Sequence, residues 1–268
     1  MGWTKSAKLR TNKIPELFLI FWIIKILSTT VGETCADFVS TQLEWGQVPA
    51  LALMVGLLSA ALFLQLRASR YIPSIYWITV VLISIVGTQV TDLLTDKLGV
   101  SLYWSTSVFT VALAGLLFTW FALEKTLSVT SIFSTRREVF YWLTILCTFA
   151  LGTAVGDLTT EALGLGFKIG TLLFGALLPV TWIAFKAGLP ATAAFWIAYI
   201  FSRPFGASLG DLLSQSREYG GIGLGAFTTS ALFLGAITIL VAHLTIRQNR
   251  TLRASRDPGF VTLKAVQE

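Results

Sequence analysis

Apolar residues in this chain come in long blocks, most near 20 residues, set apart by short polar or basic segments. A block of that length, wound as a helix, spans the roughly 30 Å hydrocarbon layer of a bilayer. The pattern predicts eight helices, at about 14–41, 48–66, 73–98, 101–123, 138–163, 166–185, 190–215 and 225–246. Residues 1–13 read as a basic arm and 248–268 as a polar tail expected to be disordered. Residues 14–247 then form a single transmembrane domain, and the fold class is an all-α membrane protein of eight transmembrane helices.

A motif recurs along these blocks. Gly32, Gly87, Gly152 and Gly206 each stand five residues before an aspartate: Asp37, Asp92, Asp157 and Asp211. A tryptophan stands fifteen residues before each of them: Trp22, Trp77, Trp142 and Trp196. A hydroxyl follows each by three: Ser40, Thr95, Thr160 and Ser214. Four matches at several offsets define four two-helix repeats, about 14–70, 71–125, 138–187 and 188–247. The residue before each aspartate is small, so Gly32/Ala36, Gly87/Thr91, Gly152/Gly156 and Gly206/Gly210 are small-xxx-small pairs that let helices approach closely in lipid. The repeats surround one axis or form two facing halves. The inter-aspartate spacings of 55, 65 and 54 lengthen the middle junction and favour halves.

Composition agrees with membrane insertion. Of 268 residues, 54% are hydrophobic and 13% charged, against about 25% charged in soluble domains. Mean hydropathy is +0.74 and the pI about 9.5. The basic excess sits in loops and tails and no nucleic-acid-binding signature appears, so nucleic acid is excluded as a partner. Fifteen of the 20 Lys and Arg fall on one side of the eight spans; Lys97, Lys168 and Arg217 fall on the other, and Lys25 and Arg203 lie within helices. By the positive-inside rule both termini are cytoplasmic and the four repeats run parallel. From tryptophan to aspartate is 15 residues, about 22 Å of helix, which puts the tryptophans at the inner side and the carboxylates in the outer half. Trp45, Trp104, Trp120 and Trp182 read as interfacial anchors, and Cys35 and Cys147 as packed, unbridged thiols.

The carboxylates carry the candidate chemistry. Glu33, Asp37, Asp92, Asp96, Asp157, Glu161 and Asp211 lie near one level, whereas Lys25 and Arg203 are the basic residues that could balance them. An aspartate at the bilayer centre costs about 2.5–3.5 kcal/mol. Asp92/Asp96 and Asp157/Glu161 pair like charges at i,i+4. Such a cluster invites shared protons or a bound cation. Carboxylates with Thr95, Thr160 and Ser214 make an oxygen-only ligand set for a hard ion, with Asp37, Asp92, Asp157 and Asp211 as metal ligands. Pro204 predicts a kink in helix 7, Arg203 pairs with a carboxylate or neutralises the cluster, and Lys25 snorkels inward. The competing reading makes each aspartate a solvated helix end. Ser/His/Asp sets, phosphate loops, cofactor fingerprints and the Gly-x-Gly-Asp box of intramembrane aspartyl proteases are missing, so no enzyme activity and no tightly bound cofactor are expected.

Residues 22–34 (Trp-Ile-Ile-Lys-Ile-Leu-Ser-Thr-Thr-Val-Gly-Glu-Thr) and 202–211 (Ser-Arg-Pro-Phe-Gly-Ala-Ser-Leu-Gly-Asp) carry a resemblance, as do Phe-Tyr-Trp and Gly-Thr-Ala-Val-Gly-Asp at the two ends of helix 5. Over most of 14–247 the chain resembles a family of bacterial multi-pass membrane proteins known only as membrane-anchored. The resemblance implies a bacterial inner-membrane location, supports the repeat and brings no activity with it. The functional expectation is an inner-membrane transporter for a divalent cation of the Mn or Mg class, proton-coupled or not. The alternative is a non-transporting scaffold or sensor whose acidic helix ends are structural. The expected partners are the lipid bilayer and an inorganic cation or proton; homo-oligomerisation stays open.

Overall fold

The computed structural model describes residues 12–42 and 46–254. The arm at 1–11, Trp45 and the tail at 255–268 lie outside the described residues. Among the described residues eight α-helices follow one another: α1 Leu19–Asp37, α2 Gln47–Arg67, α3 Pro73–Asp92, α4 Leu102–Glu124, α5 Thr135–Asp157, α6 Gly166–Lys186, α7 Ala191–Ser214 and α8 Ala226–Ala254. Seven are long and apolar enough to cross a membrane. The remaining one, α7, is long enough but more polar, because it carries Ser202, Arg203, Ser208 and Asp211. The last helix runs through residues 248–254, so its final turns fall in the segment expected to be disordered.

The helices form two shells. In α1, α3 and α5, 61, 56 and 67% of the apolar span is buried, against 17, 11, 17 and 17% in α2, α4, α6 and α8. The odd helices therefore make the core. Each packs on two others, α1 on α3 and α7, and α5 on α3 and α7, so the four close a ring. The outer helices pair in an order the repeat does not suggest. Each even helix packs chiefly on the odd helix of the next repeat: α2 on α3, α4 on α5, α6 on α7, and α8 back on α1. Exposed Phe63, Val111, Phe118, Leu172, Leu232 and Ile239 cover their outer faces. Such apolar outer faces are compatible with helices that cross a membrane.

Two further contacts recur at each quarter of the ring. Each motif glycine faces the next odd helix: a methyl on Gly32 would strike Ser84, on Gly87 Phe149, on Gly152 Arg203, and on Gly206 Thr29. These four targets stand eight residues before the four aspartates, so one contact is used four times. At the far end an aromatic belt closes in the same way. Phe21 meets Trp77 at 5.5 Å, Tyr76 meets Trp142 at 5.4 Å, Tyr141 meets Trp196 at 6.4 Å, and Phe195 meets Trp22 at 5.8 Å between ring centroids. The repeats surround one axis. The long middle spacing reflects the extra loop after α4, with its 3-10 turn Val129–Ser131, and not a boundary between halves. Of the tryptophans read as anchors, Trp104 and Trp182 are exposed, but Trp120 is buried against Phe140 and Trp196. Both cysteines are unbridged.

Three of the four odd helices change pitch at the motif. Immediately after Asp37, Asp92 and Asp157 the chain winds into one π-helical turn, Phe38–Gln42, Leu93–Lys97 and Leu158–Ala162. Leu98 N–H donates to Leu93 O at 3.1 Å and Leu163 N–H to Leu158 O at 2.9 Å, the wider i→i−5 closure. Gly99 and Gly164 then reverse the chain at φ 65° and 68°, where a side chain would be strained. Repeat 4 keeps α-geometry through Asp211 to Ser214, and nothing in the packing explains the difference.

Candidate functional site

Closing the ring brings all seven predicted acids together. Glu33, Asp37, Asp92, Asp96, Asp157, Glu161 and Asp211 line one cavity of about 120 Å³ at the motif end of the bundle. Because each aspartate sits one residue past a small-xxx-small pair, the packing that draws the backbones together also draws the carboxylates toward the axis. Glu33, Asp157 and Asp211 each present an oxygen within 4.8 Å of the other two, a spacing that could hold a metal ion. Glu33 and Asp211 are buried, whereas Asp96 and Glu161 sit at the exposed rim. The structure thus grades the acids by depth, and the exposed pair, Asp96 and Glu161, are the two that the sequence places nearest the exit turns. Of the four aspartates expected to ligate, Asp157 and Asp211 join the closest group, Glu33 replaces the other two there, and Asp37 and Asp92 line the wall.

The hydroxyls divide. Thr95 and Ser40 line the cavity. Thr160 does not: its hydroxyl donates back to Gly156 O at 3.1 Å and its methyl abuts Gly170 of α6. Ser214 is buried beside the cavity lining, without a hydrogen-bond partner. Two amides missed by the charge-based reading complete the rim. Gln215 Nε2 donates to Asp37 Oδ2 at 3.4 Å and Gln47 Nε2 to Asp96 Oδ2 at 3.3 Å. Gln215 occupies the position four after its aspartate, where repeats 2 and 3 have Asp96 and Glu161. An amide there supplies a donor to the neighbouring carboxylate instead of a further negative charge.

Arg203 does not line the cavity but holds one of its acids from below, pairing with Glu33. It is fully buried, with Nη2 2.9 Å from Glu33 Oε2 and 2.7 Å from Thr153 Oγ1, and Nη1 3.2 Å from Thr29 O. Nη2 also donates to Thr88 Oγ1. The sequence left open which acid Arg203 meets; it meets Glu33. Register explains the rest of the set. Glu33, Thr88, Thr153 and Ala207 all stand four residues before their aspartates, so one turn below the carboxylates the ring holds one acid, two hydroxyls and a methyl. One turn lower lie Thr29, Ser84, Phe149 and Arg203. Aligning the four repeats on their aspartates finds Thr88 and Thr153, a signal that charge alone hides. Pro204, next to Arg203, sits within an otherwise continuous α7.

Lys25 corrects an expectation. It does not snorkel: it is fully buried, its Nζ 4.3 Å from the ring centroids of both Phe149 and Tyr199, without a hydrogen-bond acceptor. Arg203 also lies against the Phe149 ring, at 5.6 Å from its centroid. Only Arg203 of the two predicted charge-balancing residues therefore touches an acid. Gly32, Gly87, Gly152 and Gly206 make the close contacts predicted for them, while Gly210 approaches Glu33 and Gly156 sits at ordinary distance from Ala207.

The fold and site define a class: a four-repeat helical bundle, built largely of membrane-length apolar helices, with one acidic cavity where its repeats converge. Residues 20–71, 75–126, 140–187 and 194–250 each match the model of a family described as a Repeat of Unknown Function (DUF347). The chain belongs to this repeat family, and each matched segment contains one Gly-x4-Asp word. Compared with curated proteins and with solved structures, the chain has no match.

Proposed function

We propose that the protein is a cation transporter of the bacterial inner membrane, with its four repeats parallel, both termini cytoplasmic and the acidic cavity toward the outer side. The observation that supports this best is the convergence of Glu33, Asp157 and Asp211, from α1, α5 and α7, on one point of a cavity lined by four further acids. Carboxylate, hydroxyl and amide oxygens favour a hard divalent ion of the Mn or Mg class over zinc or copper(I). The ion is substrate, and the rim acids Asp96 and Glu161 concentrate it at the mouth. Arg203 offsets part of the negative charge, so the site binds without trapping.

The test is flux into liposomes containing the purified full-length chain and a divalent-ion reporter, with a pH reporter for coupling. Mn²⁺ or Mg²⁺ entry that falls at least tenfold in Asp157→Asn supports the reading; no flux of either ion from correctly folded protein rejects it. A second reading draws on Arg203, whose five-membered network with Glu33, Thr29, Thr88 and Thr153 ties the helices together beneath the acids. A static tie suits a cation sensor or scaffold. Saturable cation binding without flux would favour the sensor, and neither binding nor flux the scaffold.

A further inference from the structure

A second site lies at the opposite end of the bundle. Between the segment leading into α1 and the last turns of α8 is a cavity of about 650 Å³, within the size range of small-ligand sites. Its walls include Phe18 and Leu244, and its charged members are Glu16 and Arg247. Both are exposed, and among the described residues neither has an ion-pair partner. The lining also holds a stranded donor. Trp77, 1% exposed, directs its indole N–H at the hydroxyl oxygen of the adjacent Tyr71, whose own proton has no acceptor among the described residues. A buried donor left unmet costs about 1–3 kcal/mol, so an acceptor belongs there. Trp77 also lines a second cavity of about 540 Å³, an apolar groove between α3 and α8 walled by Ile78, Val81, Leu234 and Val241.

These features specify an amphipathic ligand: an anionic group able to accept several hydrogen bonds, a cation nearby, and an apolar chain. We propose that this is a seat for one phospholipid with an ethanolamine headgroup. Its phosphate and ester oxygens accept from Arg247 and Tyr71, its ammonium faces Glu16, and one acyl chain lies in the α3/α8 groove. A choline headgroup has no N–H to donate to Glu16, and a glycerol headgroup has no cation. The proposal rests on the membrane-embedded reading and is independent of cation transport.

The experiment is native mass spectrometry of the full-length protein, delipidated in mild detergent and titrated separately with phosphatidylethanolamine, phosphatidylcholine and phosphatidylglycerol. One phosphatidylethanolamine should bind ahead of the other two. Tyr71→Phe and Arg247→Gln should each weaken it roughly tenfold, the scale of one charge-assisted hydrogen bond. Glu16→Gln should remove the headgroup preference, and Arg250→Gln, one turn along α8 and outside the cavity lining, should change nothing. Matching melting temperatures establish that the variants fold. Equal binding of the three lipids by the unmodified protein overturns the headgroup assignment. Unchanged phosphatidylethanolamine binding in both Tyr71→Phe and Arg247→Gln overturns the site.

Discussion

Glu33 and Arg203 stand 170 residues apart and meet at 2.9 Å in the middle of the bundle, both buried. Removing one partner of such a pair strands the other, at a cost of about 3–5 kcal/mol. Glu33→Gln should therefore lower the melting temperature sharply, although an amide nearly fills the same space. Arg203→Met in the same chain should recover most of the loss, because the stranded charge is then gone. The two single variants and the double form a cycle read by thermal denaturation. Additive losses in the double would mean that the pair is not what each change disrupts.

The acidic site makes a separate prediction. Asp157 contributes to the closest group of carboxylates and Asp96 lies at the exposed rim. Asp157→Asn should weaken cation binding by roughly tenfold to a hundredfold, the scale of one lost charge on a bound divalent ion. Asp96→Asn should weaken it only severalfold, and less at high salt, because a rim charge acts across screened solvent. Isothermal titration with Mn²⁺ at low and at high salt measures both. Equal losses in the two variants would contradict the depth ordering.

Much of this was legible in the chain itself. The Gly-x4-Asp word and the tryptophan fifteen residues upstream locate the inner helices, because a motif that repeats on one helix face must serve one recurring contact. The ring was less legible, since each even helix packs on the following repeat, and loop length says little about which neighbour a helix chooses. Trp120 reads as an anchor because its sequence neighbours are those of a lipid-facing helix; only the fold sets Phe140 and Trp196 against it. Thr160 reads as a ligand by spacing, but its hydroxyl turns back to Gly156 O and its methyl abuts Gly170 of α6, a neighbour only the fold supplies. Lys25 reads as a snorkelling residue because the facing rings of Phe149 and Tyr199 come from two other helices.

Glycines of the two shells should respond oppositely to a methyl. At Gly87 a Cβ would lie 2.7 Å from Phe149 Cβ and 3.2 Å from Ala150 N, so α3 and α5 must separate. Overpacking of that kind costs about 1–3 kcal/mol. Gly56 of α2 and Gly115 of α4 have no atom within 4 Å of the same position. Alanine there removes unfolded-state freedom and improves helix propensity, about 0.5–1 kcal/mol of stabilisation each. Melting curves of Gly87→Ala, Gly56→Ala and Gly115→Ala in one detergent decide it: the first should melt lower than the parent chain and the others higher. A fall in all three would mean that the outer helices pack more closely than their surroundings indicate.

Lys25 gives the last prediction. Its Nζ lies against two rings and, among the described residues, has no acceptor; aligned on the aspartates, it stands one helical turn below the level of Arg203. Ring faces return about 0.5–2 kcal/mol to a cation, less than burying an ammonium costs. Lys25→Met keeps the length of the side chain and removes the polar head. If the lysine is there to stabilise the bundle, this change lowers the melting temperature. The geometry requires the reverse: Lys25→Met should melt at or above the parent chain, since methionine also packs favourably against Phe149 and Tyr199. A melting temperature several degrees lower would show that Lys25 has a partner, and its stabilising role would then have to be sought there.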